Sequence, residues 1–176
     1  MGEVNKLTRA WHGKPLVAHV VDAARSSALA NVVVVTGHQA QHVAACVGDD
    51  ALLVHNPDFA TGMASSLRAG IREAQSSGAD AVLVLLGDMP LVSAADIDRI
   101  LRAFSEAGNA AIVQATCQGK PGNPVLIPEA YFDELLEVEG DKGARDLIKR
   151  YSAQRMLIEI GTAAARDFDV PEAFEG

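Results

Sequence analysis

The chain has 176 residues, of which 49% are apolar and 22% charged, and its formal net charge is −8. This balance is typical of a folded globular domain of ordinary size and excludes a disordered chain. The acidity, the 5% aromatic content and the lack of a Lys/Arg-rich block disfavour nucleic-acid binding. The two cysteines form no CxxC pair, which argues against a zinc site or a disulfide framework. No apolar stretch approaches the length of a membrane span, and no signal-peptide core is present, so we expect a cytoplasmic protein without a membrane partner.

Hydrophobic periodicity predicts helices and strands that alternate along the chain. Expected helices cover residues 14–28, 39–47, 63–75, 93–107, 129–137 and 143–151, and expected strands cover residues 31–36, 52–55, 80–86, 110–115, 125–127 and 155–160. The run 31–36 is rich in valine and shows no alternation, which is typical of a strand covered on both faces. Residues 118–124 are interpreted as a turn-rich loop that introduces an antiparallel strand pair or a lid. The alternation predicts one domain over residues 1–176, a three-layer, Rossmann-like α/β sandwich with a mainly parallel sheet.

The most informative stretch is Val84-Leu-Leu-Gly-Asp-Met-Pro-Leu-Val92. Its apolar run ends at Gly87 and Asp88, and Pro90 prevents a regular continuation of the strand. A carboxylate is thereby placed at the carboxyl end of a buried strand, where open α/β sheets bind ligands. Asp88 is suited there to hold a hard cation such as Mg²⁺ against substrate phosphates. The alternative is a solvated aspartate in an ordinary turn.

The N-terminal region and the segment after residue 55 supply further candidates. Lys6 lies ahead of the first helix, where its charge suits a phosphate, although a solvated surface lysine is the alternative. Near Gly62 a helix begins, and its free N–H groups with the Ser65 and Ser66 hydroxyls form an anion or ribose site, or ordinary capping. The Asn56 amide suits a base or sugar edge. Neither GxGxxG nor GxxxxGK[ST] occurs, so dinucleotide binding and P-loop chemistry lose support.

Two later segments concentrate charge. Gly140-Asp-Lys-Gly-Ala-Arg145 precedes an expected helix and either contacts an acidic or phosphorylated acceptor or is a solvated helix start. Asp167 and Asp169 share a face in an extended stretch, so one of them either completes a metal site with Asp88 or is simply solvated.

Taken together, these segments resemble the molybdenum-cofactor nucleotidyltransferases, most closely the molybdopterin cytidylyltransferase-like branch. The resemblance rests on motifs that occur in family order along the chain: Asn5-Lys-Leu7, Gly13-Lys-Pro-Leu16, Val35-Thr-Gly37, Asn56-Pro…Gly62-Met-Ala-Ser-Ser-Leu-Arg-Ala-Gly-Ile71, Gly87-Asp-Met-Pro-Leu-Val92, Gly122-Asn-Pro-Val125, Gly140-Asp-Lys-Gly-Ala-Arg145 and Asp167-Phe-Asp-Val-Pro171. It implies a nucleotide-diphospho-sugar-transferase-like fold. It also implies Mg²⁺-dependent transfer of a nucleotidyl group, with CTP favoured as donor, to a phosphorylated acceptor of the molybdopterin type.

The resemblance also implies roles for particular residues. It assigns catalysis to Lys6 and Asp88, and a metal ion to Asp88 and Asp169. The nucleotide side comprises Gly2, Lys6, Thr36, Asn56, Gly62, Ser65 and Ser66. The acceptor side comprises Asp141, Lys142 and Arg145.

The chain departs from the family pattern at its start. Members of the family begin with a strand and a loop of the form Leu-Ala-Ala-Gly-x-Ser-x-Arg-Met-Gly, of which this chain carries only the final Met1-Gly2. We therefore expect the first, central strand to be missing, activity to be poor, and the gap to be filled by loose packing or a second copy of the chain. Two other functions stay open: transfer to a sugar phosphate or another small phosphate, and a non-catalytic role in binding a partner such as a maturing molybdenum enzyme.

Overall fold

The computed structural model describes residues 5–48 and 51–167. The strands are β1 Ala10–Trp11, β2 Lys14–Pro15, β3 Val33–Thr36, β4 Leu52–His55, β5 Ala81–Val84, β6 Ile112–Cys117, β7 Lys120–Pro128 and β8 Arg155–Glu159. The helices are α1 Leu16–Arg25, α2 Ala40–Val47, α3 Met63–Ser76, α4 Ala94–Glu106, α5 Phe132–Leu136 and α6 Arg145–Arg150, with short 3₁₀ turns between them. No helix in these two ranges is long and apolar enough to cross a membrane.

The strands form two sheets and a small hairpin. The larger sheet has the order β5-β7-β6-β8, in which β5, β6 and β8 run the same way and β7 runs against them. The second sheet is the parallel pair β3–β4, joined through α2 as a βαβ unit. The hairpin is formed by β1 and β2. The fold is therefore a mixed α/β architecture with mainly parallel strands, as the sequence predicts.

The core lies on both faces of the larger sheet, because side chains alternate along its strands. Ile112, Val125 and Ile127 face α3, α5 and α6, whereas Val113 and Leu126 face α4. On the α4 side, α1 also contacts α2 and α4. The result is three layers, with α1, α2 and α4 on one face of the strands and α3, α5 and α6 on the other.

The sheet layer is interrupted between β3 and β5. Within residues 5–48 and 51–167, β3 pairs only with β4, β5 pairs only with β7, and no ladder joins β3 to β5. Helices bridge this interruption, since α3 contacts β3, β4 and β5 on one face while α1 connects α2 with α4 on the other. Among the described residues, the two sheets are therefore held together by helix packing and not by a strand ladder.

Three local expectations were wrong. Residues 118–124 are not a loop: Gln118 and Gly119 alone make the turn, both with positive φ, and β7 starts at Lys120. The antiparallel alternative is therefore the one observed. Strands 31–36 and 80–86 were expected to be fully covered, but β3 and β5 are mostly half-buried because each has an open edge. The helix expected over residues 14–28 is shorter, because Lys14 and Pro15 form β2 and α1 covers Leu16–Arg25.

Candidate functional site

Asp88 and Lys6 meet at the carboxyl end of β5. The Lys6 Nζ lies 2.6 Å from Asp88 Oδ2, and their side chains are 43% and 15% exposed. Asp88 follows β5 in a turn that begins at Gly87, which is the placement expected from the sequence. The two residues are 82 positions apart, so this contact is a product of the tertiary fold. The structure thus brings the two predicted catalytic side chains together.

A short N-terminal turn positions Lys6. Asn5 caps the 3₁₀ turn Lys6–Thr8, because its Oδ1 accepts a hydrogen bond from the Leu7 N–H at 3.0 Å. The Leu7 side chain lies against Gly87, where an added Cβ would approach it to 3.3 Å. The Asn5 Nδ2 donates to the His38 carbonyl oxygen at 3.3 Å, just after β3. This turn therefore connects the carboxyl ends of β3 and β5 across the interruption in the strands.

Asn56 organises the loop between β4 and α3. It is 3% exposed, and its Nδ2 donates to the hydroxyl oxygens of Ser65 at 2.8 Å and Ser66 at 3.0 Å. Its Oδ1 accepts from the Asp58 N–H at 3.0 Å, and its own N–H donates to the Thr36 carbonyl at 2.7 Å. Four of the predicted nucleotide-binding residues, namely Thr36, Asn56, Ser65 and Ser66, are therefore one hydrogen-bonded unit. In it Asn56 holds the loop in shape, because both of its amide hydrogens are used internally.

At Gly62, the segment predicted to bind the nucleotide contacts the segment predicted to bind the acceptor. Gly62 precedes α3 with φ of 115°, a region that only glycine adopts freely. A Cβ at Gly62 would lie 2.6 Å from Asp141 Oδ1 and 2.6 Å from the Gly140 carbonyl oxygen. The turn Gly140–Lys142 thus packs on the start of α3. Any side chain at position 62 would separate them.

The other predicted residues are less closely grouped. Arg145 begins α6 and is exposed, as are Asp141 and Asp167. Of Lys142 only the backbone is described, while Gly2 and Asp169 lie outside the described residues. The predictions for Lys142, Gly2 and Asp169 therefore stay predictions.

Two residues near the site were missed by sequence reasoning. His38 follows β3, Phe59 follows β4, and their ring centroids are 6.0 Å apart. Both rings are exposed, Phe59 to 39%. One signal was present in the sequence: with only 5% aromatic residues, an aromatic side chain in the polar loop after β4 is unusual.

The donor set around Asp88 fits Mg²⁺ bound together with a substrate. Within residues 5–48 and 51–167, no three His, Cys, Asp or Glu side chains gather into a metal cage. Mg²⁺ does not need such a cage, because it commonly binds one or two carboxylates and keeps waters and phosphate oxygens as its other ligands. A half-buried carboxylate beside a cation therefore fits a site that is completed by an anionic ligand.

Comparison with known proteins agrees with the fold, which is that of a nucleotide-diphospho-sugar-transferase-like α/β domain. The chain belongs to the MobA-like NTP transferase domain family, whose model matches residues 1–156. It is thus a nucleotidyltransferase domain.

Individual relatives show how far this likeness extends. Bifunctional protein GlmU of Symbiobacterium thermophilum is 34% identical over 111 residues, which are 62% of this chain and 23% of GlmU. Purine catabolism protein PucB of Bacillus subtilis is 27% identical over 120 residues, 67% of this chain and 57% of PucB. This chain thus spans about a quarter of the length of GlmU.

The fold is also similar to that of a solved structure. Rv0371c of Mycobacterium tuberculosis H37Rv, in complex with manganese, matches with a TM-score of 0.81 at 21% identity, over 97% of this chain and 89% of that one. At this identity the likeness establishes the fold alone.

Proposed function

We propose that this chain transfers a nucleotidyl group from a nucleoside triphosphate to a phosphorylated small molecule, with Mg²⁺ and with release of pyrophosphate. The observation that carries this proposal is the pair of Lys6 and Asp88, 2.6 Å apart at the carboxyl end of β5. This edge of an open α/β sheet is where ligands bind. Membership of the NTP transferase domain family supports the reaction class.

The proposed chemistry is mainly one of positioning and charge neutralisation. Attack of an acceptor phosphate on the α-phosphorus of the nucleotide brings several anionic oxygens together, so fixed positive charge is needed more than a covalent nucleophile. The Lys6 ammonium contacts Asp88, and a bound triphosphate gives that ammonium a second anionic partner. A divalent ion held by Asp88 supplies further neutralisation of the phosphate oxygens.

The other residues hold the nucleotide and the acceptor in this proposal. Thr36, Asn56, Ser65 and Ser66 keep the loop before α3 in shape, and the start of α3 at Gly62 offers N–H groups to an anion. Asp141, Lys142 and Arg145 contact the acceptor, while Gly2 assists the nucleotide and Asp169 assists the metal.

We propose CTP as the donor and a molybdopterin-type phosphate as the acceptor, on the strength of the motifs alone. The second candidate acceptor is a sugar phosphate or another small phosphate, since the exposed Asp141 and Arg145 leave the acceptor side open to acceptors of different size. The non-catalytic alternative is a binding role toward a molybdenum enzyme or a second copy of the chain.

The test is pyrophosphate release by the Asp88→Asn variant. Each nucleoside triphosphate is incubated with MgCl₂ and either molybdopterin or a panel of sugar 1-phosphates. We expect Asp88→Asn to lower the turnover rate by about 100-fold, the scale seen when one preorganised electrostatic group is removed. Stability should change by less than about 1 kcal/mol, because the ion pair is partly solvated.

Asp133→Asn is the matched control, since Asp133 is an exposed carboxylate on α5. It should leave turnover unchanged. Wild-type chain that releases no pyrophosphate with any donor and acceptor would contradict the proposed reaction, and so would equal activity of Asp88→Asn and wild type. The preferred acceptor separates the molybdopterin proposal from the sugar-phosphate candidate.

A further inference from the structure

Two exposed aromatic rings lie together at the ligand edge. Phe59, 39% exposed, opens the 3₁₀ turn Phe59–Thr61 after β4, and the exposed His38 follows β3. Their ring centroids are 6.0 Å apart and their planes are inclined by 51°. Because β3 and β4 are adjacent parallel strands, their carboxyl ends present both rings on the same side of the molecule.

The chain is shaped to hold Phe59 in this place. A Cβ on Gly37 would lie 2.4 Å from the Phe59 Cβ and 2.8 Å from its Cγ, so only glycine at position 37 admits the ring. The loop that carries Phe59 is fixed by the buried Asn56 amide through Asp58 and the two serine hydroxyls. The loop that carries His38 is fixed by the hydrogen bond from Asn5. An apolar ring is thus exposed on a constrained support.

These rings adjoin the charged part of the site. Asn5, which contacts the His38 carbonyl, is the residue before Lys6, and Lys6 contacts Asp88. A ligand whose phosphates reach Lys6 therefore has an aromatic surface beside its uncharged end. Planar heterocycles stack on such surfaces whatever their hydrogen-bonding edge, because every base has a π face.

We propose that Phe59, flanked by His38, is the stacking surface for the nucleobase of the bound nucleoside triphosphate. This inference rests on the proposed function. The contact supplies affinity shared by all bases, so discrimination between CTP and other donors must come from other groups. It also predicts that the nucleoside half of the ligand binds at β3 and β4, while the phosphate half binds at β5.

The test compares nucleotides with a ligand that lacks a base. Dissociation constants for CTP, ATP and inorganic triphosphate are measured by calorimetry with MgCl₂, for wild type, Phe59→Ala and Phe59→Trp. We expect Phe59→Ala to weaken CTP and ATP about 10-fold, within the usual range for one base–aromatic stack, and to leave inorganic triphosphate unchanged. Phe59→Trp should retain nucleotide affinity, and nucleotide should quench the fluorescence of the introduced indole beyond the response of wild type, which has one native tryptophan.

Gly37→Ala is the second variant, because its methyl group displaces the ring without changing residue 59, and it should lower nucleotide affinity in the same way. Leu157→Ala is the control, since it removes another exposed large apolar side chain, on β8. The stacking proposal is overturned if Phe59→Ala binds nucleotides as wild type does, or if it weakens triphosphate as much as CTP. The proposal is also overturned if the wild-type chain binds inorganic triphosphate and binds no nucleotide more tightly than that. Wild type that binds neither ligand overturns the proposed function instead.

Discussion

At the scale of single residues, Glu159 shows how one side chain fixes a turn. Its carboxylate accepts hydrogen bonds from the Gly119 N–H at 3.1 Å, the Gln118 N–H at 3.0 Å and the Thr116 hydroxyl at 2.9 Å. These bonds, with one from the Gly161 N–H, lower the pKa of Glu159 from its ordinary value of 4.5 to about 2. The β6–β7 turn is therefore tied to β8 by a carboxylate that must stay ionised.

The lowered pKa predicts a pH-dependent contribution to stability. Glu159→Gln should lower the urea midpoint at pH 7, because a neutral amide accepts these bonds more weakly. In the folded state the pKa is depressed, so the contribution is present above the ordinary value of 4.5 and is lost as pH falls through the folded value of about 2. The difference in urea midpoint between wild type and variant should be constant from pH 7 to about 5.5 and shrink as the pH falls from 4.5 toward 2.

Glu106→Gln is the control for this series, since Glu106 is exposed at the end of α4. It should show little difference from wild type at any pH. A difference for Glu159→Gln that is the same at pH 3 as at pH 7 would contradict the assignment of the stabilisation to the ionised carboxylate.

The candidate site was predictable only in part from its residues. The position of Asp88 could be predicted, because an apolar run that ends in Gly87-Asp88 by itself indicates the end of a strand. That Lys6 lies near Asp88 was implied by the family resemblance, since nothing local relates residues 82 positions apart, and their direct contact was not predicted. The pairing of His38 with Phe59 was not predictable, because it depends on how two loops pack after adjacent strands. The internal role of Asn56 was missed for a similar reason: its partners are set by the loop conformation.

At the scale of elements, α4 illustrates local signals that agree with the fold. Ser93 is its N-cap and accepts from the Asp96 N–H at 3.2 Å, while Asp96 Oδ2 accepts from the Ser93 N–H at 3.1 Å. The buried side chains Ile97 and Ile100 follow at helical spacing. Both hydrogen bonds of a capping box are therefore present at the start of this helix.

Removing this cap should have a measurable cost. Ser93→Ala leaves the first N–H groups of α4 without their side-chain acceptor, and we expect the free energy of unfolding to fall by about 1 kcal/mol. Urea denaturation measures it. Ser105→Ala, an exposed substitution in the last turns of the same helix, should change stability by less than about 0.5 kcal/mol. Equal effects of the two substitutions would contradict the capping role.

Elements with strong periodicity were predicted to within a few residues, as α3 and β4 show. The failures have a common cause: strand pairing overrides local preference. Pro121 and Pro124 suggested a loop at 118–124, yet the backbone of Lys120–Pro128 is held as β7 between β5 and β6, both of which run antiparallel to it. The β1–β2 hairpin was missed because its strands have two residues each, too few to show alternation.

At the scale of the whole molecule, the interrupted strand order predicts unequal protection of backbone amides. In any strand the N–H groups alternate between its two edges. β6 and β7 have partners on both edges, whereas β3 and β5 each have one paired edge within residues 5–48 and 51–167. Amides on the open edges of β3 and β5 should therefore exchange with solvent faster than those of β6 and β7, through local opening.

Hydrogen exchange followed by NMR resolves this at single amides. The amides of β3 and β5 should divide into a slowly exchanging set that points toward β4 or β7 and a rapidly exchanging set on the two unpaired edges. Uniform slow exchange along both strands would contradict an open interruption, and would indicate that a further segment pairs with them in solution.

Under the proposed function, the same interruption couples nucleotide binding to the stability of the fold. One side of the proposed site, with Asp88, belongs to the larger sheet, and the other side, with Phe59, belongs to the β3–β4 pair. The distance between the two sides is set by packed helices and the turn at Lys6, not by hydrogen bonds between strands. A nucleotide bound to both sides would therefore fix this distance. A ligand stabilises the state that binds it. The donor nucleotide should therefore raise the melting temperature of the protein and also reduce relative motion between the two sides of the proposed site.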